Sequence, residues 1–217
     1  MYNQGIYFSI LLLAVIGFVA ACSSTDNLQR SENMYTSLQT VDNNINEIVR
    51  QIDAINNSLN ELVNTETTDL RRSFNRYSEN VNTIRGMERG FAENTERMKS
   101  NAQSYFNQWD EEGRQYTNPD IQARSDERRA ELGNAYERVE ANTVGLREAF
   151  QAYVSDVSEI ESFLSNDLTS QGIESMGSTA NTSIRNGDNL KEELEEMQIA
   201  IRDTRSKMDR DGSIARN

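Results

Sequence analysis

The most constraining feature of this 217-residue chain is a run of apolar residues at alternating spacings of four and three. The first run contains Met34, Leu38, Val41, Ile45, Ile48, Ile52, Ile55, Leu59 and Leu62. This heptad spacing places the apolar side chains on one narrow stripe of a helix, and such a stripe is stable only when other helices cover it. The pattern therefore predicts a long helix packed against further helices.

Three more series follow at helical spacing. The second contains Leu70, Phe74, Tyr77, Val81, Ile84, Met87, Phe91, Met98, Ala102, Tyr105 and Trp109. The third contains Leu132, Tyr136, Val139, Thr143, Leu146, Phe150, Tyr153, Val157, Ile160 and Leu164. The fourth is looser and contains Ile173, Met176, Ala180, Ile184, Leu190, Leu194, Met197, Ile201 and Met208. With only one proline in the chain, the four series predict an all-α fold.

Short segments with helix-capping residues separate the series. Residues 63–69 end in Thr, Thr and Asp69, which are typical N-caps. Residues 113–120 begin with glycine and end with an Asn-Pro-Asp sequence, in which proline suits the first helical position. Residues 165–172 hold a third group of polar cap-formers. We therefore predict three helix breaks, at these three segments.

The segment lengths favour one architecture. Helices of about 35, 45, 48 and 40 residues with short connections suit an antiparallel up-down four-helix bundle with coiled-coil packing, about 50 to 70 Å long. We assign this bundle domain to residues 30–210. If no break occurred at residues 63–69, the first two helices would form one rod, and a long three-helix coiled coil is the alternative.

The amino-terminal segment has a different composition. Ile6–Ala21 is almost wholly apolar, and the first 21 residues contain no Asp, Glu, Lys, Arg or His. An apolar run of about 16 residues is short for crossing a membrane but typical of a signal-peptide core. We interpret residues 1–21 as a signal peptide and residues 22–29 as a polar tether.

The only cysteine of the chain follows this apolar run. Val19, Ala20, Ala21 and Cys22 resemble the bacterial lipobox, in which a lipid is attached to the cysteine and the signal peptide is cut before it. Cys22 is then the lipidation site and the link to a membrane, and Ser23 favours the outer membrane. We expect a protein of the cell envelope that faces the periplasm; an uncleaved anchor helix and a buried core cysteine are the alternatives.

Charge and composition exclude several functions. The formal net charge is −13, and all 22 Lys and Arg residues and all 35 Asp and Glu residues follow Cys22, so we expect no binding to nucleic acid. The chain has no histidine, which removes the usual ligands of di-metal centres in helical bundles and the usual catalytic base. We therefore expect no cofactor, no metal site and no enzyme activity.

A cluster around the predicted second break is less generic. It includes the only tryptophan of the chain, and we treat it as a candidate interaction tip composed of Phe106, Trp109, Glu112, Arg124 and Ser125. In a purely structural interpretation, the aromatic rings pin the turn, and arginines after it reach back to Glu111, Glu112 and Asp126. In the functional interpretation, the tip binds a protein partner.

These features resemble a bacterial family known as domain of unknown function 2959. The resemblance spans about Ser31 to Met208 and identifies the chain as a distant member. It rests on Asp69-Leu70, on Phe106, Trp109 and Glu112, on Arg124-Ser125 and Tyr136, and on Asn166-Asp167-Leu168-Thr169. The family implies a lipobox-ended signal and a helical fold, and it implies no particular activity.

Two functions are consistent with these patterns. The first is a lipid-anchored bundle with a structural, adaptor or protein-interaction role. We expect a protein partner, which the sequence does not identify, and the pattern is also compatible with a homo-oligomer. The alternative is a carrier that binds a small molecule or a lipid between its helices, in a cavity lined by Met176, Met197 and Met208.

Overall fold

A computed structural model describes the backbone of residues 20–64 and 69–210, and the side chains of residues 27–63 and 69–209. The chain forms four helices: α1 (Ala20–Asn64), α2 (Leu70–Gly113), α3 (Pro119–Asn166) and α4 (Ser170–Arg210). No strand occurs in these ranges. The predicted all-α fold is confirmed.

The predicted signal peptide and lipobox lie mostly beyond this region. Residues 1–19, which include Val19, are outside the described residues, and for Ala20, Ala21 and Cys22 only the backbone is described. Among the described residues, no helix combines the length and the apolar character that a membrane-spanning segment needs.

The start of α1 differs from the sequence prediction. The helix begins at Ala20 and therefore includes residues 22–29, where the sequence predicts a separate tether. No glycine or proline interrupts the chain between Ala20 and Asn64, so nothing local ends the helix. Contacts with α2 also fix its first turns, since the Arg30 guanidinium donates a hydrogen bond of 2.6 Å to the Ser104 hydroxyl.

The helices form a square bundle. α1 packs against α2 and α4, and α3 packs against the same two helices, whereas the backbones of the diagonal pairs lie farther apart within the described ranges. Arg30 of α1 meets Ser104 near the end of α2, and Glu61 of α1 meets Arg76 near its start, at 2.7 Å. Sequential helices are thus antiparallel, which confirms the up-down bundle and excludes the three-helix alternative.

The three predicted breaks are present, and a side chain caps the helix that follows each one. Asp69 accepts a hydrogen bond of 3.0 Å from the backbone N–H of Arg72. Asn118 accepts one of 2.9 Å from the N–H of Asp120. The Thr169 hydroxyl accepts one of 3.0 Å from the N–H of Gly172. These bonds satisfy donors that the first helical turn leaves free.

The core follows the apolar stripes. Every member of the first series is buried to within 1% of full burial. The fourth series is more regular than its sequence suggests, because the buried residues Ser183, Gly187 and Thr204 fill its heptad gaps. Small residues at these positions concealed the stripe from a search for large apolar side chains.

A polar layer crosses the middle of the core. The buried Tyr153 hydroxyl donates a hydrogen bond of 3.0 Å to the Asn56 amide oxygen, and the Asn56 amide nitrogen donates to the Ile184 carbonyl at 3.2 Å. Burial raises the pKa of Tyr153, and the nearby negative charges of Asp188 and Asp53 raise it further. The hydroxyl therefore stays protonated and keeps its role as a donor.

Gly187 makes room for this layer. A Cβ atom at position 187 would lie 2.8 Å from the Tyr153 ring and 2.9 Å from the Asn56 amide oxygen. Both neighbours are buried and hydrogen-bonded to each other, so neither can move without loss. The glycine is required here by close packing of α4 against α1 and α3.

We predict that Gly187→Ala lowers the free energy of unfolding by about 1–3 kcal/mol, because the added methyl group overpacks the layer. Gly177→Ala is the matched control on the same helix: nothing lies within 4 Å of its added Cβ, so we expect a gain of up to about 1 kcal/mol from helix propensity. Urea unfolding followed by circular dichroism measures both changes. Equal stability of the two variants would contradict this packing role.

Candidate functional site at the α2–α3 turn

The turn between α2 and α3 lies beside the start of α1. The Asn27 amide donates a hydrogen bond to the Glu112 carboxylate, one residue before α2 ends at Gly113. Antiparallel pairing makes this arrangement unavoidable, because the end of α2 must meet the beginning of α1. The predicted tip therefore occupies the same end of the bundle as Cys22, and the 64–70 and 166–170 connections occupy the other end.

An aromatic cluster fixes the end of α2 to α3. Tyr105 packs edge-on against both Phe106 and Trp109, with ring centroids 5.5 Å apart in each pair. Phe106 also contacts Tyr136 of α3, at 5.9 Å. The Trp109 indole N–H donates a hydrogen bond of 2.9 Å to the Ser125 hydroxyl. The structure thus brings Phe106, Trp109 and Ser125 together, as the structural interpretation of the tip predicts.

Glu112 has a role that the sequence did not indicate. Its carboxylate accepts hydrogen bonds from Asn27 of α1 and, at 3.1 Å, from Gln108 one turn earlier in α2. The residue therefore connects the tip to α1 and does not face α3. No local pattern reveals this contact, because its two partners are 85 residues apart.

The arginines after the turn pair partly as predicted. Arg129 binds Asp126 at 3.2 Å and also binds Asp110 across the turn. The expectation that Glu111 and Glu112 accept these arginines is wrong. Glu112 is held by α1, and Glu111 is exposed, which leaves Asp110 as the carboxylate facing α3. Desolvation raises the pKa of the Asp110 carboxyl, but the hydrogen bonds and positive charges of Arg114 and Arg129 outweigh it, so the pKa is lowered overall.

Arg124 is separate from this network. Its side chain is exposed and forms no ion pair with a described residue. It lines an open groove of about 450 Å³ whose walls are Tyr105, Trp109, Tyr116, Ile121, Arg124, Ser125 and Arg128. Tyr116 and Ile121 are 41% and 50% exposed. The sequence analysis missed both residues; the available signal was an aromatic and an aliphatic residue outside the heptad stripes.

A second groove of about 690 Å³ runs between α2 and α3, within the size range of small-molecule sites. Thr95 and Thr143 occupy core positions along it, and these small side chains leave the space open. Tyr136 is one of the lining residues, and its hydroxyl is buried and has no hydrogen-bond partner among the described residues. Burial and the Glu140 carboxylate raise the pKa of Tyr136, so its hydroxyl remains a donor.

The methionines predicted to line a carrier cavity lie elsewhere. Met197 and Met208 are buried within the hydrophobic core, and Met176 packs against it. None of the three lines either groove described above.

Potential metal ligands are not clustered. In the part of the chain that the structure describes, no group of three or more histidine, cysteine, aspartate or glutamate side chains could hold a metal ion.

Comparison with known proteins identifies the family. Residues 28–209, which cover nearly all of the four helices, match a family described as Protein of unknown function (DUF2959). The chain belongs to the DUF2959 family. The resemblance inferred from the sequence motifs is thereby confirmed, and the DUF2959 match includes both halves of the α2–α3 tip. No curated protein and no solved structure matches the chain.

We predict that Trp109 and Ser125 stabilise the DUF2959 tip as a pair. Trp109→Phe and Ser125→Ala each remove one partner of the 2.9 Å hydrogen bond, so the double variant should lose less stability than the two single variants together. The expected coupling is about 1 kcal/mol. Urea unfolding of all four proteins measures it, and effects that add to within about 0.3 kcal/mol would show that the bond contributes nothing.

Proposed function

We propose that this DUF2959 protein is a non-catalytic, lipid-anchored helical bundle of the bacterial cell envelope, which faces the periplasm and acts as a structural spacer or adaptor for another protein. The observation that carries the proposal is the position of Cys22. Its sequence context resembles a lipobox, and its backbone already belongs to α1. A lipid on Cys22 would therefore be joined directly to the folded bundle.

The shape of the bundle supports a spacer or adaptor role. α2 has 44 residues and α3 has 48, so the two helices extend about 66 and about 72 Å at 1.5 Å per residue. A bundle attached through one end would carry its opposite end about that far from the attachment point. The acidic surface, with a formal net charge of −13, favours basic protein surfaces as partners and disfavours nucleic acid.

The proposal of a non-catalytic role rests on chemistry. The chain has no histidine, and its single cysteine would be consumed by lipidation. Two tyrosines with raised pKa values, Tyr77 and Tyr153, are core residues whose hydroxyls bind protein groups: Tyr77 donates to the Val157 carbonyl at 2.7 Å, and Tyr153 donates to the Asn56 amide oxygen at 3.0 Å. They are occupied in packing and are not aligned at an open cleft.

Ser23 after the cysteine favours the outer membrane. Multiple acyl chains on a lipoprotein cysteine hold a protein stably, whereas one chain binds only marginally. Most of this acidic protein has no basic surface that could bind a membrane. Attachment through Cys22 would explain how it nevertheless stays there.

One observation favours a second function. Tyr136 lines the α2–α3 groove, and its buried hydroxyl has no partner among the described residues, so a small molecule or lipid that reaches it with a hydrogen-bond acceptor would satisfy it. If the protein is a carrier, native mass spectrometry should find a co-purifying ligand. Tyr136→Phe should reduce the bound fraction of this ligand and leave the fold unaffected. A ligand-free mass for the protein purified from its host would reject the carrier.

We predict that Cys22→Ser prevents lipid attachment, so that the protein is either released from membranes or left unprocessed with residues 1–21 attached. Ser23→Ala is the matched control, since it keeps the cysteine and should leave acylation unchanged. Intact-mass measurement of both variants and of the wild type, after membrane fractionation, checks the prediction. An unmodified Cys22 thiol on a wild-type protein found in the membrane fraction would contradict it.

A further inference from the structure

The α2–α3 turn combines exposed apolar side chains, arginines and proximity to the attachment point. We infer that this turn rests on the lipid headgroup surface of the membrane that holds the protein, with Tyr116, Ile121 and Leu28 in contact with lipid. The inference rests on the proposed membrane attachment through the amino-terminal end of α1, and the bundle then stands on the membrane with its α3–α4 connection away from it.

The attachment point, Cys22, is close to the turn. The Asn27 side chain binds Glu112 at the end of α2, and Cys22 is five residues earlier in the same helix. Five helical residues span about 7.5 Å, and even five fully extended residues span no more than about 18 Å. Cys22 therefore lies within about 20 Å of Asn27, whose side chain contacts the end of α2, so a membrane attached at Cys22 is at the same end of the bundle as the turn.

Large apolar side chains are exposed at this end of the bundle. Leu28 is 60% exposed, Ile121 50% and Tyr116 41%, and all three lie at this end of the bundle. A single exposed apolar residue needs no explanation. Three of them at the attached end, with an aromatic ring whose hydroxyl is polar, form the kind of surface that suits the boundary between headgroups and acyl chains.

The connections at the two ends of the bundle differ in formal charge. The connection between α2 and α3, residues 114–118, contains Arg114 and no acidic residue, so it carries a formal charge of +1 within a chain of −13. The two connections at the opposite end, residues 65–69 and 167–169, contain three acidic residues and no basic one. Arg124 is exposed, lines the same groove as Tyr116 and Ile121, and forms no ion pair with a described residue, so its side chain can extend toward lipid phosphates. The charge difference between the ends thus favours the turn, rather than the far end, against a membrane.

A protein partner at the turn is the competing explanation, and the geometry disfavours it. Any partner would have to bind beside the membrane attachment, because Cys22 is within about 20 Å of Asn27 at the same end of the bundle. The residues that would form a partner-binding tip are also largely used within the protein, since Trp109 binds Ser125 and Glu112 binds Asn27. The exposed remainder is the apolar and basic surface described above.

The test uses the full-length protein, extracted from host membranes and reconstituted into phosphatidylcholine–phosphatidylglycerol vesicles that contain a lipid with a nitroxide on its headgroup. Trp109 is the only tryptophan, so Trp109→Phe gives a background without tryptophan. Tyr116→Trp in that background reports on the turn, and Phe163→Trp reports on the opposite end, about 65 Å away. Phe163 is 38% exposed, which makes it a matched probe.

We expect the nitroxide lipid to reduce emission from the probe at position 116 about twofold and to leave the probe at position 163 unchanged, because headgroup quenching acts only at close range. Wild-type Trp109 provides a second measurement that needs no substitution, and its emission should also fall. Circular dichroism confirms that each variant is folded.

The outcomes separate this inference from the proposed function. If the protein floats with the vesicles but neither the position 116 probe nor Trp109 is quenched, the turn does not touch lipid and the inference is wrong, while attachment stands. Equal quenching at positions 116 and 163 would mean that the bundle lies flat, which also overturns the inference. Failure to float with the vesicles would overturn both proposals.

Discussion

Because the apolar residues of α1 recur at heptad spacing and are all buried, α1 is stable only where other helices cover its stripe. Every other feature depends on that burial. Short capped turns allow each helix to return along the preceding one, and the antiparallel order follows. The same order brings the start of α1 to the α2–α3 turn, and so the packing of the core decides which end of the bundle faces the attachment point.

The core also contains the elements that set its register. Tyr153 and Asn56 form a hydrogen-bonded layer among apolar neighbours, and Gly187 leaves the space that this layer needs. A shift by one heptad would separate these groups and leave buried polar atoms without partners, at a cost comparable with the total stability of a domain. The apolar stripes alone favour burial, whereas the polar layer favours one alignment of the helices.

Much of this fold could be predicted from sequence, because stripes and caps are local signals. The heptads of α1 and α3 and the cap residues Asp69 and Asn118 were sufficient to define four helices and their breaks. The fourth stripe was only partly visible, since Ser183 and Thr204 are buried without being apolar. The candidate site was harder: its residues were found, but their partners depend on contacts between distant segments, such as that between Asn27 and Glu112.

The central claim is that the α2–α3 turn lies beside the start of α1. Spin labels at Leu28→Cys and Tyr116→Cys, in a Cys22→Ser background, test it directly by double electron–electron resonance on the detergent-solubilised protein. The antiparallel bundle predicts a label separation below about 30 Å, and about 65 Å for the matched pair Leu28→Cys and Phe163→Cys. A separation above about 60 Å between positions 28 and 116 would contradict the account, because the end of α2 would then be far from the start of α1.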